Sequence, residues 1–237
     1  MKDKLIGWLK DKAKESNALG LVCGLSGGID SAVTAALCKQ AFPEQSLAVL
    51  MPCYSNPQDK IDALKVVEKF DLNYRGVDLG NTCDSFLGSL PDDDLEAATK
   101  HLALANIKPR FRMLTLYYFA NRLNYLVVGT GNKSELTVGY YTKYGDGGVD
   151  LLPLANLVKK EVYQLAKELG VPEDIIVKPP SAGLWDDQED EKEMGISYKV
   201  LDEYILSGSA DEVSKEKIEY MHKVSEHKRQ LPEIPNF

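Results

Sequence analysis

The chain has 237 residues, 44% hydrophobic and 27% charged, with a net charge of −8; that length admits one large or two small domains of ordinary globular composition. The acidic balance argues against long nucleic acid as a partner, which needs a basic face to displace counterions, and no apolar run approaches the length of a membrane span or forms a signal peptide. Cys23, Cys38, Cys53 and Cys83 have neither zinc-site nor Cys-x-x-Cys spacing and read as reduced thiols packed inside a cytoplasmic protein.

Residues 1–8 mix charged and apolar positions like an amphipathic helix. Leu19–Cys23 is an apolar run expected to form a buried strand, followed by a helix over Asp30–Ala41. Leu47–Met51 reads as a second strand. Asn56-Pro57 then supplies a cap and a proline at the first helical position, opening a helix to about Phe70. Asn73–Val77 is a third strand. Asp92–Asn124 is mostly helical, with a break expected near Pro109. Tyr125–Val128 is a fourth strand ending in Gly129-Thr130-Gly131. Val158–Leu169 carries apolar residues at helical spacing and is closed by Gly170 and Pro172. Helices over Ser197–Leu206 and Asp211–Lys228 complete the chain. Alternating strands and helices imply a parallel sheet covered on both faces, in one domain over residues 1–237. Ligands bind such sheets at the carboxyl ends of the strands, so the glycine turns after the first and fourth strands line one crevice.

The first of these turns carries the chemistry. Gly24, Leu25, Ser26, Gly27, Gly28, Ile29, Asp30 and Ser31 pass from strand to helix. The glycines let the backbone approach a ligand, and the free N–H groups of the first helical turn face an anion. Ser26 and Ser31 add hydroxyls. Asp30 would repel a phosphate unless a cation sits between them, which points to a nucleotide with Mg²⁺. An ordinary Ser-Gly-Gly turn is the bland alternative. No Gly-Lys-Ser or Gly-Lys-Thr closes the loop, so a kinase or GTPase reading loses ground.

The SGGIDS stretch resembles the signature of the N-type ATP pyrophosphatases. Together with GTGNKSELTVGYYTKYGDGGVDLLP (129–153), LVKKE, KPPSAGLW and EHKR, nearly the whole chain resembles the ammonia-dependent NAD synthetases. That resemblance implies a five-stranded parallel sheet in an α/β/α sandwich, a homodimer, and the conversion of deamido-NAD to NAD by adenylation with ATP followed by attack of ammonia. It implies Mg²⁺ held by Asp30 and Glu135. Glu135 by itself reads as a solvated first-turn glutamate. The resemblance also implies ATP contacts from residues 24–31, Thr130, Lys159 and Ser181, with Lys159 counted as catalytic. Arg110, Lys143, Asp150, His227 and Lys228 fall at deamido-NAD positions. Three departures stand out: Ser181 where many members have threonine, Gly183 where aspartate is usual, and Pro109 before Arg110, whose role Arg112 also contests.

Asp146, in a glycine-rich turn, is the candidate to attract ammonium and help remove its proton; an Asp-Gly turn is the plain alternative. Tyr140, Tyr141 and Tyr144 could stack on a ring or pack beneath the loop. The acidic run at Asp186, Asp187, Glu189, Asp190, Glu191 and Glu193 reads as a solvated loop placed to act as a lid. His101 and His222 read as structural. Met113, Leu116, Tyr117 and Ala120 form an apolar helical face, either core or dimer surface. The competing readings are a GMP synthetase-like amidotransferase and a nucleotide sensor without turnover.

Overall fold

The computed structural model describes residues 1–91, 97–185 and 188–235. Its elements run α1 (Lys2–Glu15), β1 (Gly20–Gly24), α2 (Ile29–Ala41), β2 (Ser46–Leu50), α3 (Pro57–Phe70), β3 (Tyr74–Gly76), α4 (Gly80–Leu87), α5 (Ala97–Leu123) and β4 (Tyr125–Val128). Then follow α6 (Lys133–Val138), α7 (Lys159–Leu169), α8 (Glu173–Ile176), α9 (Asp190–Met194), α10 (Tyr198–Ser207), α11 (Glu212–Val224) and a 3₁₀ turn, Glu226–Lys228.

Period-two patterning explains the layers. From β1, β2 and β4, Leu21, Cys23, Ala48, Leu50 and Val128 face one core, closed by α1, α2, α3, α7 and α8. Their alternates Val22, Leu47, Val49 and Val127 face a second core, closed by α4 and α5. The strands are parallel in the order β3-β2-β1-β4. A third, smaller core joins α6, α9, α10 and α11 through Val138, Met194, Leu201 and Ile218.

The expected five-stranded sheet is corrected to four strands. The fifth position is a single parallel bridge between Val128 and Leu151, tied by the Gly129 N–H to the Leu151 carbonyl at 2.8 Å. Pro153, two residues on, has no N–H to extend a ladder. The expected break at Pro109 is also corrected: α5 runs through it without interruption. Buried Leu116 and Ala120 pack the helix against the sheet and Ala105 is buried as well, and tertiary burial outweighs the missing hydrogen bond. Residues 92–96, where this helix was expected to begin, lie outside the described residues, as do Asp186 and Asp187. The cap of α3 is as the sequence implies: the Asn56 side chain accepts from the Gln58 N–H at 2.9 Å, with Pro57 first in the helix. The helix expected over Asp211–Lys228 ends at Val224, and the 3₁₀ turn follows.

Candidate active site

The order β3-β2-β1-β4 places the carboxyl ends of β1 and β4 side by side, the position at which open parallel sheets hold ligands. The glycine turn of residues 24–31 leaves β1 there. Gly27 has φ +88°, a conformation that favours glycine. Ser31, buried beneath the loop, is a strut: its hydroxyl donates to the Gly28 carbonyl at 2.9 Å, receives the Ser26 N–H at 3.2 Å, and lies 3.0 Å from the Ser26 hydroxyl. Ser26 itself is exposed and available to a ligand.

Across the crevice, Gly129-Thr130-Gly131 leads into Asn132, which caps α6. The Glu135 N–H donates to Asn132 Oδ1 at 3.0 Å, and Glu135 Oε2 accepts from the Asn132 N–H at 3.2 Å. The same asparagine donates Nδ2–H to Asp30 Oδ1 at 3.0 Å. One buried residue therefore fastens the two loops together.

Lys159 meets them from the third side. It begins α7, is 2% exposed, and places Nζ 2.7 Å from Asp30 Oδ2 and 3.2 Å from Glu135 Oε1. Its ammonium also lies 4.8 Å from the centroid of the Tyr198 ring, within cation–π range. Burial alone would lower the Lys159 pKa; Asp30 and Glu135 more than offset it and hold the ammonium charged. Burial pushes Glu135 up to about 7, with Lys159 opposing. With 16% of its side chain exposed and Lys159 against it, Glu135 is not a solvated first-turn glutamate. The start of α7 is fixed by buried Asp202 of α10, which accepts from the Lys159 and Lys160 N–H groups at 3.3 and 2.8 Å and from the Ser134 hydroxyl at 2.5 Å.

Asp30 and Glu135 thus already converge on one cationic atom, which is the test a shared cation must meet. Among the described residues no group of three His, Cys, Asp or Glu side chains forms a metal site. A pair of hard carboxylates suits Mg²⁺, which completes its shell with water and substrate phosphate.

The remaining residues divide. Lys143, His227 and Lys228 come together: Lys143 donates to the His227 carbonyl, and Lys228 Nζ lies 2.7 Å from both the Gly139 and Tyr141 carbonyls. Burial lowers the Lys228 pKa, partly opposed by Asp146. Asp146 Oδ1 accepts from the Thr142 N–H at 2.9 Å. The residue is exposed, so the tendency of the surrounding loop to raise its pKa, opposed by the Thr142 N–H and its own backbone N–H, is weakened by water. Asp150 is engaged elsewhere, accepting from the Val127 N–H at 2.8 Å and the Tyr117 hydroxyl at 2.9 Å. Arg112 donates to the Met51 carbonyl and Ser55 Oγ at 3.2 and 3.3 Å, whereas Arg110 is exposed.

Ser181 is exposed and accepts from the Gly183 N–H at 3.1 Å. Its segment is clasped to α3 by Lys178, 2.8 Å from both Asp59 Oδ1 and Asp62 Oδ2. Gly183 has φ +60°, and a Cβ there would stand 3.8 Å from Asp59 Oδ2. The left-handed backbone and the neighbouring carboxylate both disfavour aspartate at this position.

Of the three tyrosines, Tyr140 donates to Glu193 Oε2 at 2.6 Å, Tyr141 lies under Lys228, and Tyr144 is exposed beneath Lys143. His222 Nδ1 meets the Thr137 carbonyl at 2.7 Å, and His101 stacks edge-on against Trp185, in keeping with structural roles. A cavity of about 340 Å³ lies beyond the carboxyl ends of β2 and β3, lined by Pro52, Tyr54, Ser55, Asp78, Gly80 and Asn81.

Sequence reasoning missed Asn132, Tyr198 and Asp202, and its reading of Asp190 as part of a solvated loop is corrected: the residue is buried at the start of α9. Only Asn132 carried a local signal, the Asn-x-x-Glu capping pattern after a glycine turn.

The chain is similar to known proteins along nearly its whole length. The chain is 52% identical to the NH(3)-dependent NAD(+) synthetase of Carboxydothermus hydrogenoformans, over 98% of this chain and 96% of the relative. It superposes on the NMN synthetase of Francisella tularensis with a TM-score of 0.92 and 38% identity, covering 100% and 97% of the two chains. For the NH3-dependent NAD synthetase of Campylobacter jejuni the values are 0.80, 33%, 99% and 97%. The NAD synthase family model matches residues 1–232, and with that span and these identities the chain belongs to the NAD synthase family.

Proposed function

We propose that this protein is an AMP-forming C–N ligase that makes NAD from deamido-NAD, ATP and ammonia. A carboxylate is a poor electrophile because its charge repels nucleophiles and oxide does not leave. In the first step a nicotinate oxygen attacks the α-phosphorus of ATP and the bond to pyrophosphate breaks. In the second, ammonia attacks the acyl carbon, AMP leaves with the shared oxygen, and the nitrogen loses a proton. The observation that supports this most directly is the Asp30–Lys159–Glu135 cluster beside the Gly24–Ser31 turn: one buried ammonium and two carboxylates are a charge set suited to bringing two anions together.

Asp30 and Glu135 would hold Mg²⁺, which when bound supplies charge neutralisation for the phosphates and the departing pyrophosphate. Lys159 is a compact charge that can turn from these carboxylates to phosphate. The amides of residues 27–31, Thr130 and Ser181 contribute donors along the triphosphate. Arg110, Lys143, Asp150, His227 and Lys228 are assigned to the dinucleotide. Asp146 is assigned to ammonia. In Asp146→Asn we expect amide formation to fall by roughly 10²-fold or more with pyrophosphate release reduced far less; equal loss of both, measured in one time course, would remove the assignment.

The defining assay supplies Mg²⁺, ATP, deamido-NAD and ammonium, with glutamine replacing ammonium in a parallel tube. NAD, AMP and pyrophosphate in equal amounts with ammonium establish the reaction; ATP binding without turnover would make the chain a sensor. A second reading is favoured by one observation, the TM-score of 0.92 to the NMN synthetase: the acceptor would be a nicotinate mononucleotide. The higher identity to the Carboxydothermus protein favours the dinucleotide, and the ratio of kcat/KM for the two acceptors decides between them.

We place the enzyme in the cytoplasm as a homodimer. The four cysteines are free and buried, and no described helix is long and apolar enough to cross a membrane. On α5, Leu116 and Ala120 belong to the core and Met113 packs near Gly148. Leu114 and Tyr118 instead form an exposed stripe suited to a second copy, at 61% and 54% exposure.

A further inference from the structure

Tyr198 has one hydroxyl proton and two carboxylates within reach. Its oxygen lies 3.0 Å from Asp190 Oδ2 and 3.4 Å from Glu135 Oε1. The first distance is that of a hydrogen bond between oxygens, and the second is well beyond the usual range, so the proton belongs to Asp190. Tyr198 is 6% exposed and its ring lies against the Lys159 ammonium. The hydroxyl is therefore confined to these two acceptors.

Asp190 is itself out of place. It sits in an acidic segment whose other described carboxylates are partly or fully exposed, yet it is 4% exposed. Its second oxygen, Oδ1, has no hydrogen-bond partner among the described residues. The other hydroxyl nearby, Tyr140, is engaged by Glu193 Oε2 at 2.6 Å. Burial raises the Asp190 pKa, against which the Lys159 charge and the Tyr140 hydroxyl also favour the ionised carboxyl; a buried carboxylate with so few donors still costs free energy, and packing alone would favour an apolar side chain. The Asp190 N–H donates to the Pro180 carbonyl at 3.2 Å, so the backbone beside Ser181 helps to position this carboxylate.

We propose that Asp190 is a positioning residue for the cation site: by accepting the Tyr198 hydroxyl it withdraws that donor from Glu135 and leaves Oε1 to the Lys159 ammonium, a partner that a bound cation can replace. Without Asp190, Tyr198 would donate to Glu135 Oε1, the oxygen that now meets Lys159, and a carboxylate oxygen already accepting a proton is a weaker cation ligand. Asp190 acts through Tyr198 and does not join the coordination shell. The inference rests on the reading of Asp30 and Glu135 as the Mg²⁺ pair.

The test is Mn²⁺ binding to the full chain with a non-hydrolysable ATP analogue, read by electron paramagnetic resonance. Asp190→Ala should weaken Mn²⁺ by about 3- to 10-fold, the size of one hydrogen bond. Asp190→Asn, which keeps an acceptor oxygen, should stay near the parent. Tyr198→Phe should bind as tightly as the parent or tighter. Asp190→Ala/Tyr198→Phe should return to within about twofold of Tyr198→Phe, because the competing donor is gone. The rescue matters most: a segment merely loosened by Asp190→Ala stays loose in the double variant. Parent-like binding by Asp190→Ala, or a double variant as weak as Asp190→Ala, overturns the proposal. A parent that binds no better than Glu135→Gln removes the metal pair itself, and the proposal with it.

Discussion

Lys159→Met should abolish NAD formation, by roughly 10³-fold or more, since it removes the buried cation held between Asp30 and Glu135, where the proposed reaction brings anionic reactants together. The same change strips both carboxylates of their partner. Breaking a buried pair from one side costs about 3–5 kcal/mol, and the residual exposure of Asp30 and Glu135, 18% and 16%, places this case near the lower end. For a chain of this size the melting temperature should fall by roughly 5–10 °C in chelator. The loss should depend on pH with a definite sign. Burial already pushes Glu135 up to about 7 with Lys159 present, and without the ammonium it rises further. A carboxyl whose folded pKa exceeds its unfolded value takes up a proton on folding, so stability falls as pH rises between those two values. The variant should therefore melt closest to the parent at low pH and furthest from it at neutral pH and above. A variant with parental melting at pH 8 would show that the cluster carries no electrostatic weight.

Gly27→Ala should damage the protein without touching a charge. At φ +88° an alanine is strained, and its Cβ would overlap the Asp59 carbonyl oxygen and lie 3.2 Å from the Ala63 amide nitrogen. Both obstacles are backbone of α3, so neither can rotate away. Strain and clash together should cost about 3 kcal/mol or more. If the helix yields instead of the loop, the displacement moves Asp59, and with it Lys178 and the segment that bears Ser181. Misplacement of about 1 Å in a phosphate site can cost roughly 10²-fold in rate. Thermal melting and the KM for ATP measured on the same preparation separate the outcomes: normal melting with raised KM means that α3 moved, and parental values for both would mean that the close approach is not maintained in solution.

The strands and the glycine turn of residues 24–31 were legible because their signals are local. Leu21, Val22 and Cys23 alternate between two cores and needed only apolar character to announce a buried strand. Ser-Gly-Gly needed only its place between that strand and a helix. Asp202 shows the opposite case. It supports the start of α7 from 43 positions away along the chain, and nothing in Leu201-Asp202-Glu203 distinguishes it from a surface aspartate. Tyr198 and Asp190 were hidden for the same reason, since their importance lies in contacts with Glu135 and with each other. Pro109 misled because the rule against proline in a helix weighs one hydrogen bond, whereas Ala105, Leu116 and Ala120 bury a whole helix face. The fifth strand failed at a single residue, where Pro153 follows the Leu151 bridge.

The ammonium of Lys159 has one more consequence. On the proposed assignment of Asp30 and Glu135 to Mg²⁺, it is a built-in placeholder, because it already compensates both carboxylates. Folding and metal supply are then decoupled. Chelation should silence turnover yet leave the melting temperature of the free protein unchanged, and a newly made chain can mature in a magnesium-poor cell and wait there intact until nucleotide and metal arrive together.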